Sequence, residues 1–420
     1  MTPRSVVVVG GGVIGLCCAY YLARAGLRVT VVERDRVGSG ASRGNAGEIC
    51  PDLVEPLPAP GVIGPALRTL HRSDAALYLR PRPSIELARF LLGFALHANK
   101  SDHRTGAAAL AALAEDTFAE FEKIGVDVKA NKNGFLYVYG SADTARRARQ
   151  AARELGAPVG ELLDHADLAS HEPFLAGGAR FGFHVDGQWS IDPNLFVDGL
   201  AGELRGLGVE IIEGARGTRI EDTGGRTRTH TSAGTVEADR VVLAAGIWTR
   251  QLGRALGVDL NIVPGKGYSF TVPATTLPSK LVHLGDAHVA VNPIGDALRI
   301  AGTMEFDRDH DRFDPRRIAA IVAAAKPYLD GVDWTGRRDE WVGPRPMTPD
   351  GLPAIGPLPG HENVLVASGH NMLGLMLAPS TGRLVADLIT GDRPQVPAFD
   401  PARISRRAGR RLGQAAIGGL

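Results

Sequence analysis

Cysteine is scarce in this chain. Cys17, Cys18 and Cys50 are the only three in 420 residues. An odd, irregularly spaced set makes neither a disulfide framework nor a thiolate metal site, and it fits a reducing compartment. A net charge of one sign is also missing. With 47 basic against 46 acidic residues the formal charge is +1, so no overall field favours nucleic acid as a partner. Lysine is rare, 7 against 40 arginines, a bias we assign to genome composition rather than chemistry. The 12 histidines stand singly, without the i, i+4 or similar spacing of metal ligands, so no metal is expected. Long hydrophobic runs are lacking too. Residues 5–23 carry no charge, but Gly10, Gly11 and Gly12 interrupt them and no A-x-A-like cleavage site follows. That stretch is expected to belong to the fold rather than to a signal peptide or a membrane span. The expectation is a cytoplasmic protein.

What is present is an ordinary globular composition, 44% hydrophobic and 22% charged. Its length suits two domains of roughly 100–200 residues each. The β-branched run 5–9 reads as a buried parallel strand. A helix follows from Val13 to Arg24, closed at Gly26, and 27–32 reads as a second strand ending at Glu33. This β-turn-α-turn-β unit predicts a right-handed crossover. Helices are predicted over 84–99, 106–124, 192–207, 315–328 and 377–388. Strands are predicted over 134–139, 209–212, 240–245 and 363–367, with a meander over 219–237. Asp192 before Pro193 is a helix start with Pro at the first position. Nucleotide-fold grammar at the beginning, middle and end implies a second domain inserted in more than one segment.

Gly10-x-Gly12-x-x-Gly15 gains meaning from its place between a strand and a helix. Gly10 permits the tight turn, Gly12 lets a pyrophosphate approach the backbone, and Gly15 lets the helix pack on the strand. Val13 and Ile14, inside this turn, are expected to touch the cofactor as well. The helix N-terminus then faces the diphosphate. Glu33, 18 positions after Gly15 (33 − 15), offers a carboxylate to a ribose diol and would repel a 2′-phosphate. FAD or NAD is therefore favoured over NADP. Arg34 and the small, donor-rich loop 38–47, with Ser42 and Asn45, suit a cofactor that extends beyond its pyrophosphate.

At this point the sequence resembles a known group. The N-terminal fingerprint, the loop Ser42, Asn45, Ala46 and Gly47, and the run Ala244-Ala245-Gly246-Ile247-Trp248-Thr249 are similar to the FAD-dependent D-amino-acid oxidase superfamily. Pro264-Gly265-Lys266-Gly267-Tyr268-Ser269, the run from Trp341 to Gly351, and Gly369-His370 with Leu373-Gly374 resemble the bacterial D-amino-acid dehydrogenases of the small-subunit type. Two places depart. Met372 replaces the small or hydroxylated residue expected in the glycine turn, and Ala378-Pro379-Ser380-Thr381-Gly382 is closer to the glycine-oxidase branch. The resemblance implies an α/β fold: an FAD-binding Rossmann-like domain of three layers with an inserted α+β substrate domain on a mixed or antiparallel sheet. The expected division gives 1–50, 190–258 and 340–400 to the FAD domain and 51–189 and 259–339 to the substrate domain, with 401–420 as a basic tail. Cofactor contacts are implied for Gly246, Trp248, Gly369, His370, Leu373 and Gly374, the last turn lying against the flavin so that its N–H groups and helix dipole oppose negative charge.

Arg345 sits between Pro344 and Pro346 on a segment that cannot be a regular helix. A rigidly held guanidinium suits a bidentate grip on a carboxylate, and the resemblance implies that it anchors the amino-acid carboxylate. The competing reading pairs it internally with Asp350 or Glu340. Tyr268 is expected either to orient the substrate or to be core. His370 either contacts flavin or substrate, retained for its physiological titration, or is structural. Lys266 either approaches the flavin through water or is solvated, and Tyr137 and Tyr139 are expected as core first. The implied activity is oxidative deamination of a D-amino acid to the 2-oxo acid and ammonia, with hydride passing to flavin N5 and the electrons to a quinone, a carrier protein or oxygen. A glycine- or sarcosine-type oxidase, a 2-hydroxy-acid dehydrogenase and a non-catalytic flavin subunit are the rivals. Two features would allow peripheral contact with a membrane: the apolar face of 84–99 and five arginines within 403–411.

Overall fold

Ser5–Val9 is a strand buried along its whole length, in the middle of a six-stranded sheet. Its neighbours, Arg28–Val32 and Arg240–Leu243, both run parallel to it. Strand alternation sends its valines to two different cores. Val6 and Val8 pack with the helices Val13–Arg24, Pro193–Gly206 and Gly374–Thr390 on one face. Val7 and Val9 pack with Ile220, Ala238 and Leu252 on the other, where the antiparallel meander of Gly217–Asp222, Thr227–Thr231 and Gly234–Ala238 lies. Each such burial stabilises the fold by on the order of 1.5–3 kcal/mol. These are three layers around a mostly parallel sheet, completed by Glu210–Ile212 and His361–Ser368. Ala354–Leu358 is its antiparallel edge.

The computed structural model describes residues 3–72, 74–80, 84–307 and 309–408. Its second sheet has eight strands. Arg338–Met347, Val263–Pro273, Ala297–Phe306, Val289–Ile294 and Leu281–Leu284 succeed one another antiparallel. Phe135–Tyr139 then joins in parallel and Phe181–Val185 antiparallel, so the sheet is mixed. Its back carries the helix Pro315–Ala325 over a core including Tyr268, Phe270 and Ile300. The helix expected over 106–124 is two, Lys100–Ala114 and Thr117–Ile124. The first starts early because Asn99 caps it, accepting from Ser101 N and Asp102 N. The second is turned so that Glu120 meets Tyr21 and Arg383. Among the described residues no helix is long and apolar enough to cross a membrane.

Candidate active site

The glycine turn closes tightly on its neighbours. Gly10 has φ +117°, and a Cβ there would lie 2.5 Å from the Ala244 carbonyl oxygen. A Cβ on Gly15 would overlap the Gly10 carbonyl oxygen, so Gly15 holds helix to strand and does not itself line the cavity. Glu33, at the end of the second strand, accepts from Gly11 N at 2.6 Å and from Asp35 N at 2.9 Å. Its neighbour Arg34 lies 4.1 Å over the Trp248 ring, which joins two predicted cofactor residues into one wall. Ser42 Oγ accepts from Val13 N at 3.0 Å and fastens the small-residue loop to the helix start. Asn45 Oδ1 accepts from Gly47 N, and Gly47, at φ +89°, packs against the Ile191 carbonyl rather than the cavity.

A cavity of about 1170 Å³ begins at Gly10, Gly12, Val13, Ile14 and Glu33. It continues past Ser42, Asn45 and Ala46, and past Gly246 and Trp248, to Leu373 and Gly374 at the start of the last helix. Neither the first nor the last helix is capped by its own N-cap side chain, so two positive helix ends with N–H donors meet one cavity. His370 Nδ1, on the wall of the same cavity, is buried without a hydrogen-bond partner among the described residues. A long dinucleotide with a polar diphosphate and a flat ring at its far end fits this donor set, and FAD is such a molecule. Gly369 shapes the turn at φ +80° without lining the cavity.

The far end of the cavity is the front of the eight-stranded sheet. Directly opposed residues share a face, so Tyr137, His283, Ala290, Ala301, Ser269 and Trp341 form one rung across six strands. Ser269 Oγ donates to the Gly44 carbonyl at 2.9 Å and locks this face to the small-residue loop. Arg345 lies two pairs along the strand from Trp341, on the same face. Its guanidinium crosses Gly267, where a Cβ would overlap it, and donates to the Thr303 carbonyl at 3.0 Å. Burial pulls its pKa down to about 10, with Glu48 opposing the shift, so it is charged at neutral pH. Glu48 pairs with His283 Nε2 at 3.3 Å. Burial pushes the Glu48 carboxyl up, but His283 and Arg345 outweigh it and hold the group below its ordinary range. Tyr137 stacks on His283 at 4.4 Å.

The structure decides several open readings. Asp350 is bound by Arg403 and Glu340 by Arg337, so neither pairs with Arg345. Tyr268 does not reach the cavity. Ser269 takes the front face, so strand alternation turns Tyr268 to the back, where its hydroxyl donates to Glu305 at 2.9 Å. Lys266 shares that back face and is fully buried among Glu305, Asp307 and the carbonyls of Asp309 and Arg312; it is not solvated and does not line the cavity. His370 lines the cavity, but its Nε2 is tied to Thr381 and burial holds its pKa down to about 3. The physiological titration expected of it is therefore absent. Tyr137 lines the cavity rather than serving as core alone, while Tyr139 does not line it. Sequence reasoning missed Glu48, His283, Met304 and Trp341. Glu48 had one signal, its place directly after Asn45-Ala46-Gly47. Among the described residues no group of His, Cys, Asp or Glu could hold a metal ion.

Comparison with known proteins adds a family. The model of FAD-dependent oxidoreductases named DAO matches residues 5–388. A D-amino acid dehydrogenase of Cereibacter sphaeroides is 33% identical over 414 residues, covering 94% of each chain. One from Methylobacterium nodulans is 33% identical, covering 94% of this chain and 97% of its own. Among solved structures, glycine oxidase from Geobacillus kaustophilus superposes with a TM-score of 0.71 at 26% identity, covering 98% of this chain and 99% of that one. An iminodiacetate oxidase from Chelativorans, at 19% identity and a TM-score of 0.72, covers 94% of this chain and 98% of its own and shares the fold.

Proposed function

This chain belongs to the DAO family of FAD-dependent oxidoreductases, and on that premise we propose that it oxidatively deaminates a D-amino acid to the 2-oxo acid and ammonia. The observation that carries the substrate reading is Arg345, a charged guanidinium facing the cavity whose opposite end is the glycine turn. The names of the bacterial relatives, D-amino acid dehydrogenase, support the same substrate class.

FAD, when bound, would supply the hydride acceptor for oxidation of the substrate α-carbon. The chain supplies binding, orientation and exclusion of water. Gly10, Gly12, Val13 and Ile14 with the first helix end hold the diphosphate. Glu33 would exchange its Gly11 N–H for a ribose hydroxyl, and Arg34, Ser42, Asn45, Ala46, Gly246 and Trp248 line the path toward the flavin. The N–H groups from Leu373 and Gly374 onward would oppose negative charge on the bound flavin. Arg345 grips the α-carboxylate, with its rotamer held by the Thr303 carbonyl and the gap over Gly267. Trp341 and Met304 flank it and keep water away. The substrate reacts as the neutral amine, and water hydrolyses the imino acid to the products. In this reading the six-stranded unit, roughly 1–50, 190–258 and 340–400 apart from the strand Arg338–Met347, serves the cofactor. The unit 51–189 and 259–339, with the strand that bears Arg345, serves the substrate.

The electrons leave to a quinone or a carrier rather than to oxygen, at the cytoplasmic face of a membrane. Two features support this. The helix Ile85–His97 buries Phe90 but exposes Ile85 (79%), Leu92 (63%) and Leu96 (68%). Arg89 on this helix and Arg250, Arg254 and Arg406 beside it converge on Asp259, with Glu86 also near Arg250, four cations against two carboxylates and so an excess of positive charge suited to anionic headgroups. Of the arginines expected in the tail, Arg403 and Arg406 are engaged with Asp350 and Asp259, while Arg410 and Arg411 lie outside the described residues. Assay of the holoprotein with D-alanine and a dye or a quinone tests this reading. Hydrogen peroxide formed as fast as the dye is reduced would favour the oxidase instead.

A further inference from the structure

The substrate chamber has a second charged end. Its floor is set by small residues, Ala290, Ala301 and Gly302, between Arg345 and the Glu48–His283 pair. The Arg345 guanidinium is anchored at the Thr303 carbonyl, on the strand Ala297–Phe306. His283 stands on Leu281–Leu284, two strands away, which at ordinary strand spacing is roughly 9–10 Å. Glu48 enters from the cofactor loop and meets His283 at 3.3 Å, and Tyr137 walls the same end by stacking on His283. An amino acid's own carboxylate and ammonium, one carbon apart, are too close together to satisfy both ends. A substrate held by Arg345 reaches Glu48 only through its side chain.

The charge balance points the same way. Without substrate, Arg345 and Glu48 oppose each other across the chamber. A carboxylate on Arg345 neutralises it and leaves the partly buried Glu48 anion with His283 as its remaining partner. A cation at the distal end of the ligand restores the balance by pairing with the carboxylate. Ala290, Ala301 and Gly302 leave the length of the floor open for an extended methylene chain. Resting on the proposed deamination, we infer that Glu48, positioned by His283, is a specificity-determining residue that selects D-amino acids with a cationic side chain.

The test compares the holoenzyme on D-lysine and on D-norleucine, which differ in the terminal ammonium. The expected result is a kcat/KM at least tenfold higher for D-lysine, with the ratio falling at least tenfold in Glu48→Gln, mainly through KM. A ratio near one, or a ratio that Glu48→Gln does not move, overturns the inference even while both substrates are oxidised, and leaves the deamination reading standing. A binding measurement keeps the two readings separate. 6-Aminohexanoate and hexanoate lack an α-amine and cannot be oxidised there, yet each can engage Arg345 and perturb the bound flavin spectrum. Tighter binding of 6-aminohexanoate, lost in Glu48→Gln and retained in Glu48→Asp, supports the distal site even if no D-amino acid reduces the flavin. Equal binding of the two acids overturns it.

Discussion

In the proposed reaction Arg345 concentrates the chemistry of recognition in one side chain, and the residues around it explain why lysine should not replace it. The guanidinium spans from its own strand, over Gly267, to the Thr303 carbonyl. An ammonium is a point donor that cannot hold a carboxylate through two parallel bonds. Losing a charge-paired partner typically costs about 2–5 kcal/mol, so Arg345→Lys should lower kcat/KM by at least about 30-fold, chiefly through KM, in steady-state assays. Unchanged kinetics would remove the carboxylate anchor from the account. His370 leads to a different expectation. Its folded pKa of about 3 lies below the ordinary value near 6.5, so between those values the unfolded chain holds a proton that the folded chain rejects. Stability from this group is therefore complete above about pH 6.5 and declines as pH falls. By pH 5 the loss is about 2 kcal/mol at 1.36 kcal/mol per unit. Urea unfolding at pH 8 and pH 5 should show that loss, and His370→Gln should flatten it. The same variant should leave the inflections of the rate–pH profile between pH 5 and 9 in place.

At the scale of elements, glycines decide how closely strands and side chains approach. A Cβ at Gly267 would overlap the guanidinium, so Gly267→Ala should raise KM at least tenfold through a displaced Arg345. It should leave flavin content unchanged, because Gly267 lies on the substrate sheet; loss of flavin in that variant would contradict the assignment. The helix Thr249–Ala255 and the strand Val258–Leu260 are tied together at Asp259 by Arg250 and Arg254, and Arg89 and Arg406 bring in two further segments. Burial pushes this carboxyl up, but the surrounding arginines prevail and hold it well below the carboxylate range. Asp259→Asn leaves four guanidiniums without their shared counter-ion. Breaking a buried pair costs up to about 3–5 kcal/mol, less here because Arg254 and Arg406 reach water. A drop in the chemical-denaturation midpoint of the holoprotein checks it. These elements were also the most legible in the sequence. The first strand, the glycine turn, the Asp192–Pro193 helix start and the meander all carry local signals, and each formed close to its expected span. Tyr268 stayed open between site and core, and Lys266 was misread, because a sequence shows that a strand alternates without showing which face meets the cofactor. Only the pairing of Ser269 with the Gly44 loop decides that.

For the whole molecule, the cavity exists because two sheets meet. The glycine turn, the small-residue loop and the last helix come from the parallel sheet, and Arg345, His283 and Tyr137 from the mixed one. The first group carries motifs dense enough to read directly. Glu48 and His283 are single polar residues far apart in sequence, and only the closing of the sheets makes them a pair. The membrane role proposed for the exposed face of the helix Ile85–His97 likewise rests on the nearby arginines around Asp259. Leu92→Glu with Leu96→Glu should abolish co-sedimentation with vesicles of anionic lipid while leaving turnover with a soluble dye intact; retained sedimentation would contradict the membrane reading. The central claim, a flavin reduced by an amino acid whose carboxylate Arg345 holds, is tested most directly by anaerobic titration of the purified holoprotein. D-amino acids should bleach the oxidised-flavin band with one equivalent of 2-oxo acid released per flavin, and Arg345→Lys should need far more substrate to reach the same end point. A flavin that no D-amino acid bleaches, or bleaching indifferent to Arg345→Lys, would contradict the account.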